Sequence, residues 1–321
     1  NEGLINVFNG GMILGPDGET VYGLKCPGAG SKIVRVAPPL LRERVSLIDA
    51  PKEGFDGHWL GGALAPDGCI YYVPGGAKQV LRFDPTTEKR KLIGPEIDGD
   101  FKYLGCVRAE DGVLYGIPCR AHHVLKIDVR AKEVVTFMDT DLSEYGDDKW
   151  FGGALGSDGC IYGTPLGASK VLKIDVREQK VSTLDTDLGK GGVKWVGGTL
   201  GSDDAIYAMP RDGGQVLRID IKAQKAATIG PDFGDKSEKW KQPVLGPDGC
   251  IYCPPACENQ VLKIDPAIPS TQAVTKIGQD FGGGNRKWEG AALGLDGRIY
   301  ASPRDANKVR SWSHVSPQMH R

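Results

Sequence analysis

Six aromatic residues occupy one recurring slot, and lysines stand beside most of them. Trp59, Tyr103, Trp150, Trp195, Trp240 and Trp288 each open an apolar, small-residue run, and they include five of the six tryptophans in the chain. Lys149, Lys194, Lys239 and Lys287 directly precede four of them, with Lys102 before Tyr103 and His58 before Trp59. A ring of indoles with cationic neighbours suits glycans, acidic peptides or aromatic ligands, through stacking and cation–π attraction. The competing reading is packing, because a residue kept in almost every repeat commonly serves the repeat itself. Packing leads for the tryptophans. For the lysines, an acidic slot upstream (Glu96, Asp141, Asp187, Asp232, Asp280) offers carboxylates that would neutralise them.

Departures from the repeat are the sharper clues. Gln242 and Pro243 replace two glycines, Glu289 stands where Leu60, Phe151 and Val196 stand elsewhere, and Arg108 replaces a leucine. Arg211 and Arg304 follow a proline where Gly75 and Leu166 do so in other repeats. Together they would line one side of a central funnel. Drift in a tolerant repeat accounts for them equally well. Cys119-Arg120-Ala121-His122-His123 is an incomplete zinc signature, and neither a metal nor a cofactor is expected. Asp84, Asp128, Asp175, Asp220 and Asp265 end a recurring strand, where a carboxylate commonly accepts from turn amides. The chain holds no nucleophile elbow, phosphate loop or dinucleotide fingerprint.

The elements that position these residues are set by one phrase, Leu-Gly-x-Asp-Gly-x-Ile-Tyr-x-x-Pro followed by Val-Leu-x-Ile-Asp. Its tyrosines are Tyr22, Tyr71, Tyr115, Tyr162, Tyr207, Tyr252 and Tyr300, about 46 residues apart, so repeats fill the 321-residue chain. Each unit reads as four short strands. The small-residue run is the first, an Asp-Gly hairpin leads to the Ile-Tyr second, Val-Leu-Lys-Ile-Asp is the third, and a weaker fourth closes the unit. Asp203-Asp204 stands in for Asp-Gly in the fifth unit, so Asp204 must tolerate the backbone of the glycine. Four strands per unit, seven times over, predict an all-β, seven-bladed β-propeller forming one domain over residues 1–321. Glycine and alanine in the first strands would let the blades approach one another closely.

The phrase resembles the loosely related TolB-like, NHL-like and quinoprotein-like propeller repeats. In its longer form, Lys-Trp-x-Gly-Gly-x-Leu-Gly-x-Asp-Gly-x-Ile-Tyr-x-x-Pro, it is similar to repeats of uncharacterised microbial and algal proteins. It lacks the dipeptides of WD repeats and the double-glycine spacing of kelch units. The resemblance implies a fold and no reaction, since propellers host lactonases, lyases, lectins and scaffolds alike.

Lys+Arg 40 against Asp+Glu 41 gives a net charge of −1, which removes the bulk electrostatic case for nucleic acid or an anionic membrane. No apolar stretch is long enough to span a bilayer. Three of the eight cysteines (Cys69, Cys160, Cys250) share one repeat slot and cannot bridge one another, so a reducing intracellular compartment is expected. The opening Asn1-Glu2-Gly3-Leu4 does not read as a signal peptide. Ring closure is the last expectation. Only nine residues follow Trp312, with Pro317 among them, so the outer strand of the seventh unit is expected from Leu4 to Phe8 at the N-terminus. The short Asn9 to Gly11 link argues instead for that segment extending the first strand.

With no unique catalytic constellation, the leading expectation is a non-enzymatic binding or scaffold propeller, an accessory subunit with a protein partner. The alternatives are a hydrolase or lyase acting at the channel mouth, and a glycan-binding lectin that would need exposed tryptophans.

Overall fold

The computed structural model describes residues 13–25, 32–37, 45–49, 59–130, 134–282, 286–294, 297–303, 310–313 and 316–320. Their strands form seven four-stranded sheets, each a simple antiparallel meander taken in chain order. Helix is confined, among the described residues, to one 3-10 turn at Ser143–Tyr145. The chain divides into two compact units, with sheets one to three in residues 6–147 and sheets four to seven in residues 148–321.

Sheet five shows how the repeat phrase builds a unit. Its strands are Trp195–Leu200, Ala205–Pro210, Val216–Asp220 and Lys225–Ile229. The second strand is buried along its whole length, whereas the fourth is exposed at three of its five residues. Such a gradient arises when sheets stack face to face about their inner strands and only the outer edge meets solvent. The tight turn after the first strand is held by its aspartate. Asp203 Oδ1 accepts from the Ala205 N–H at 3.3 Å, and Oδ2 accepts from the Tyr207 hydroxyl at 2.9 Å. Tyr71, Tyr162 and Tyr252 make the same bond to Asp67, Asp158 and Asp248 at 2.7–2.8 Å. The Asp-Gly-x-Ile-Tyr phrase is therefore one hydrogen-bonded unit, which gives the tyrosine of a buried strand a partner for its hydroxyl. Asp204 has φ 61, close to the φ 77 of Gly159 in the neighbouring sheet, as its place in the phrase requires.

Close approach explains the small residues of the first strands. A Cβ on Gly61 would lie 2.6 Å from the Cα of Gly105 in the next sheet. In sheet six, Pro243 takes the place of a glycine, and its Cδ would lie 2.8 Å from a Cβ on Gly197. Proline brings no N–H to the ladder. There the first strand shrinks to Val244–Leu245, with an isolated bridge from Trp240 to Pro255.

Sheet seven corrects the expected closure. Its fourth strand is Ser316–His320, paired antiparallel with Arg310–Ser313. Pro317 is tolerated because this is the edge strand of the sheet, where a missing donor breaks no ladder on the outer side. Leu4 to Phe8 lies outside the described residues.

Candidate functional site

The recurring Lys-Trp pair sits where one sheet hands over to the next. The aromatic residues are buried: Trp59, Trp150 and Trp240 are 0% exposed, Tyr103 1%, Trp288 4% and Trp195 5%. Trp195 packs with Tyr162, Val171 and Leu184 of sheet four and with Ile206 and Leu217 of its own sheet. Trp240 bridges sheets five and six in the same way, Trp288 sheets six and seven, and Trp59 sheets one and two. Four of the indole N–H groups also have a fixed acceptor. Trp59, Trp150, Trp195 and Trp240 donate to the carbonyls of Gln79, Lys170, Gln215 and Gln260, always twenty residues on, at 2.8–3.0 Å. Their burial fits the packing alternative.

The lysines are straps between sheets. The Lys239 backbone N–H donates to the Arg211 carbonyl in the preceding sheet's loop at 3.0 Å. Its Nζ donates to the carbonyls of Asp212, Gly213 and Lys236 at 3.2, 3.0 and 2.7 Å. Lys194 Nζ reaches Ala168 and Gly191 carbonyls at 3.0 and 3.1 Å, and Lys102 Nζ reaches those of Gly75 and Gly99. Lys102, Lys149, Lys239 and Lys287 are buried. Burial lowers the pKa of Lys102, Lys194, Lys239 and Lys287. Carbonyl oxygens hold the ammonium groups of Lys102, Lys194 and Lys239, while the charges of Asp187, Asp232 and Asp280 in the acidic slot favour the protonated forms of Lys194, Lys239 and Lys287. Asp141, Asp187, Asp232 and Asp280 accept hydrogen bonds from backbone N–H groups two residues on, at 2.6–2.9 Å. These carboxylates shape the loop whose carbonyls receive the lysine.

Of the departures, only Arg211 enters a described side-chain network. Arg211 Nη2 donates to Glu238 Oε1 at 2.8 Å, and Arg286 Nε donates to Oε2 of the same carboxylate. Lys241 Nζ lies 3.5 Å from Oε1. The three cations come from the loops of sheets five, six and seven in residues 148–321, and they converge on a carboxylate whose side chain is 9% exposed. Burial acts to raise the pKa of Glu238, but Lys241, Arg211 and Arg286 outweigh it and hold the group down at about 2. Beside it, Glu258 receives Lys276 at 2.7 Å and Lys236 at 3.7 Å. Gln242 is partly buried next to this network in the chain, and Arg304 lies outside the described residues. Glu289 falls in the first strand of sheet seven, Trp288–Leu293. Arg108 ends its strand at the hairpin end, opposite the aromatic slot, and donates to the Leu64 carbonyl at 3.1 Å. Arg108 therefore stands apart from Arg211.

Sequence reasoning missed Glu238, Lys241 and Arg286. Lys241 had a readable signal, because it occupies the same column as Glu289, where other repeats carry Leu60, Leu104, Phe151 and Val196. Glu238 and Arg286 precede the lysine, a column that also holds Phe101 and Asp148. All four adopt a left-handed backbone, with φ from 50 to 53. Nothing in their side-chain types announces that conformation.

Cys69, Cys106 and Cys160 are not activated as nucleophiles. Burial pushes Cys69 and Cys106 up to about 12 and Cys160 up to about 11. No group of three or more His, Cys, Asp or Glu side chains among the described residues is placed to hold a metal ion. The aspartates ending the third strands accept from turn amides, as in Thr86 N–H to Asp84 at 2.9 Å and Ala223 N–H to Asp220 at 2.8 Å.

Repeated four-stranded meanders, packed through small-residue first strands and tied by a Lys-Trp link, define a β-propeller repeat protein. Solved structures agree on the fold. The chain is similar to virginiamycin B lyase from Staphylococcus aureus, in a catalytically inactive form with quinupristin, at 14% identity and a TM-score of 0.74, covering 97% of this chain and 96% of that one. A streptogramin B lyase structure matches at 18% identity and a TM-score of 0.71, over 91% of this chain and 89% of that one. Hydrazine synthase from Kuenenia stuttgartiensis matches at 15% identity and a TM-score of 0.67, over 97% of both chains. No family model matches the sequence. No curated protein matches it either.

Proposed function

We propose that this chain is a non-enzymatic binding propeller, a single seven-bladed ring over residues 1–321 that serves as an accessory subunit for a protein partner. The observation that supports this reading is the state of its unusual charges. Glu238, held near 2, is too weak a base to take a proton at neutral pH. Arg211, Lys241 and Arg286 are aimed at that carboxylate, an arrangement suited to fixed surface charge. A lectin reading needs exposed indoles, and the five in the repeat slot are at most 5% exposed. No helix among the described residues is long and apolar enough to cross a membrane.

Purification from the native source under mild conditions, followed by size-exclusion chromatography and quantitative mass spectrometry, tests the function. The expected result is a stoichiometric protein companion. A chain that runs alone, or one that turns over quinupristin in a mass-spectrometric assay, overturns it. Calorimetry tests the single ring. One cooperative thermal transition is expected, and two separated transitions would divide the chain into independent domains.

A further inference from the structure

Phe101 is the most exposed large apolar side chain among the described residues, at 50%. It directly precedes the buried Lys102, in the column that elsewhere holds Asp148, Glu238 and Arg286. All four share a left-handed backbone, so the link dictates the conformation, and a bulky apolar residue is the unfavourable choice for it. The Phe101 carbonyl accepts from the Arg120 N–H at 3.1 Å, as that of Asp148 does from Gly167 at 2.8 Å and that of Glu238 from Cys257 at 2.9 Å. The repeat thus sets two positions side by side. Here they hold Phe101 and Arg120, whose guanidinium carbon lies 5.0 Å from the ring centroid. Carboxylates flank the pair. Residues 95–101 carry exposed Glu96, Asp98 and Asp100, and residues 139–145 carry exposed Asp139, Asp141 and Glu144. Neither segment contains a lysine or arginine. The loop at 119–123 joins them, through Arg120 to Phe101 and through the Leu142 N–H to the His122 carbonyl at 2.8 Å. Lys78 pairs with Glu96 and Asp98 at 3.3 and 3.4 Å, and with Lys102 and Arg120 it offsets only part of this acidic charge.

We propose that Phe101 anchors a docking surface for the protein partner, which seats there an apolar side chain flanked by lysine or arginine. This deepens the binding reading above and rests on it. A half-exposed aromatic ring within a charged rim has the anatomy of an interface hot spot, with apolar contact at the centre and charge at the edge. The acidic rim selects a basic partner and speeds its approach. A second copy of this chain suits the place less well, because it would set one acidic rim against another.

The test uses the whole chain and the end-capped peptide Lys-Lys-Leu-Leu-Lys-Lys, followed through backbone amide signals in NMR titrations. Saturable shifts at Phe101 and Asp100 are expected. Phe101→Gly should weaken binding by about tenfold, the loss of an aromatic anchor. Glycine adopts the left-handed backbone freely, so the thermal midpoint of this variant should match or exceed that of the wild type. Binding lost at an undiminished midpoint supports the surface. Asp100→Asn keeps the ring and should weaken binding to a lesser degree, with a smaller dependence on salt. No saturable shift in the folded wild-type protein overturns the proposal, as does unchanged binding by Phe101→Gly. Equal binding of Glu-Glu-Leu-Leu-Glu-Glu overturns it too, as does self-association of the chain that Phe101→Gly abolishes. The two readings fail separately. A companion that co-purifies equally with wild type and Phe101→Gly removes this surface and leaves the binding function standing. The absence of any companion removes the function whatever the peptide does.

Discussion

The indole N–H of Trp195 donates to the carbonyl oxygen of Gln215 at 2.8 Å, across a gap of twenty residues in the chain. The bond pins the ring at the entry of its own sheet while the ring packs among residues of the sheet before. One residue thus joins local register to packing between sheets. Trp195→Ala should cost about 3–5 kcal/mol, the range for truncating a large buried aromatic. Trp195→Phe should cost less, on the order of 1–3 kcal/mol, because the Gln215 carbonyl loses its donor while ring bulk remains. Urea unfolding of both variants checks the order, and equal, negligible losses would show the ring to be dispensable.

Lys239 supports the same junction through its ammonium. Lys239→Met keeps the stem and leaves the Asp212, Gly213 and Lys236 carbonyls without that donor, so a loss of about 1–3 kcal/mol is expected. Lys170 pairs with Asp185 at 3.3 Å in an exposed position, and Lys170→Ala should cost less than about 1 kcal/mol. Equal losses in the two variants would contradict the strap.

Glu238 makes stability depend on acid. Its pKa is about 2 in the folded protein against an ordinary 4.5, so its contribution is complete above pH 4.5 and disappears as pH falls toward 2. A depression of that size corresponds to about 3 kcal/mol. Urea midpoints between pH 7 and pH 2 should fall for the wild type across that window. Glu238→Gln should be less stable at neutral pH and lose less on acidification. Parallel pH profiles for the two proteins would refute the coupling.

Glycines should separate by contact. Gly61→Ala places a Cβ 2.6 Å from the Gly105 backbone and keeps φ at 106. Gly159→Ala meets nothing within 4 Å and bears only the left-handed strain, about 1–2 kcal/mol. The Gly61 variant should be the less stable by roughly 1–3 kcal/mol, the added expense of forced overpacking. Thermal midpoints measured side by side check the difference.

The periodic phrase by itself determined the strands, the Asp-Gly turns and the aromatic slot, because each depends on residues only a few positions apart. Asp203 and Tyr207 are four apart in the chain and bonded in the fold, so their spacing already encoded the contact. The partners of the lysines could not be read that way. Lys239 is held by carbonyls of the preceding sheet's loop, 26 and 27 residues back, and every residue has a carbonyl, so no residue type marks the acceptor. The carboxylates are visible in the sequence and do act on the lysines through charge, but their hydrogen bonds go to the loop backbone. Closure of sheet seven followed the same rule. Pro317 reads as a strand breaker until topology places it on an edge, where its missing N–H has no ladder to break. The Glu238 network required tertiary structure most. Arg211, Glu238 and Arg286 lie 27 and 48 residues apart, and only sheets stacked at a fixed pitch bring their loops onto one carboxylate.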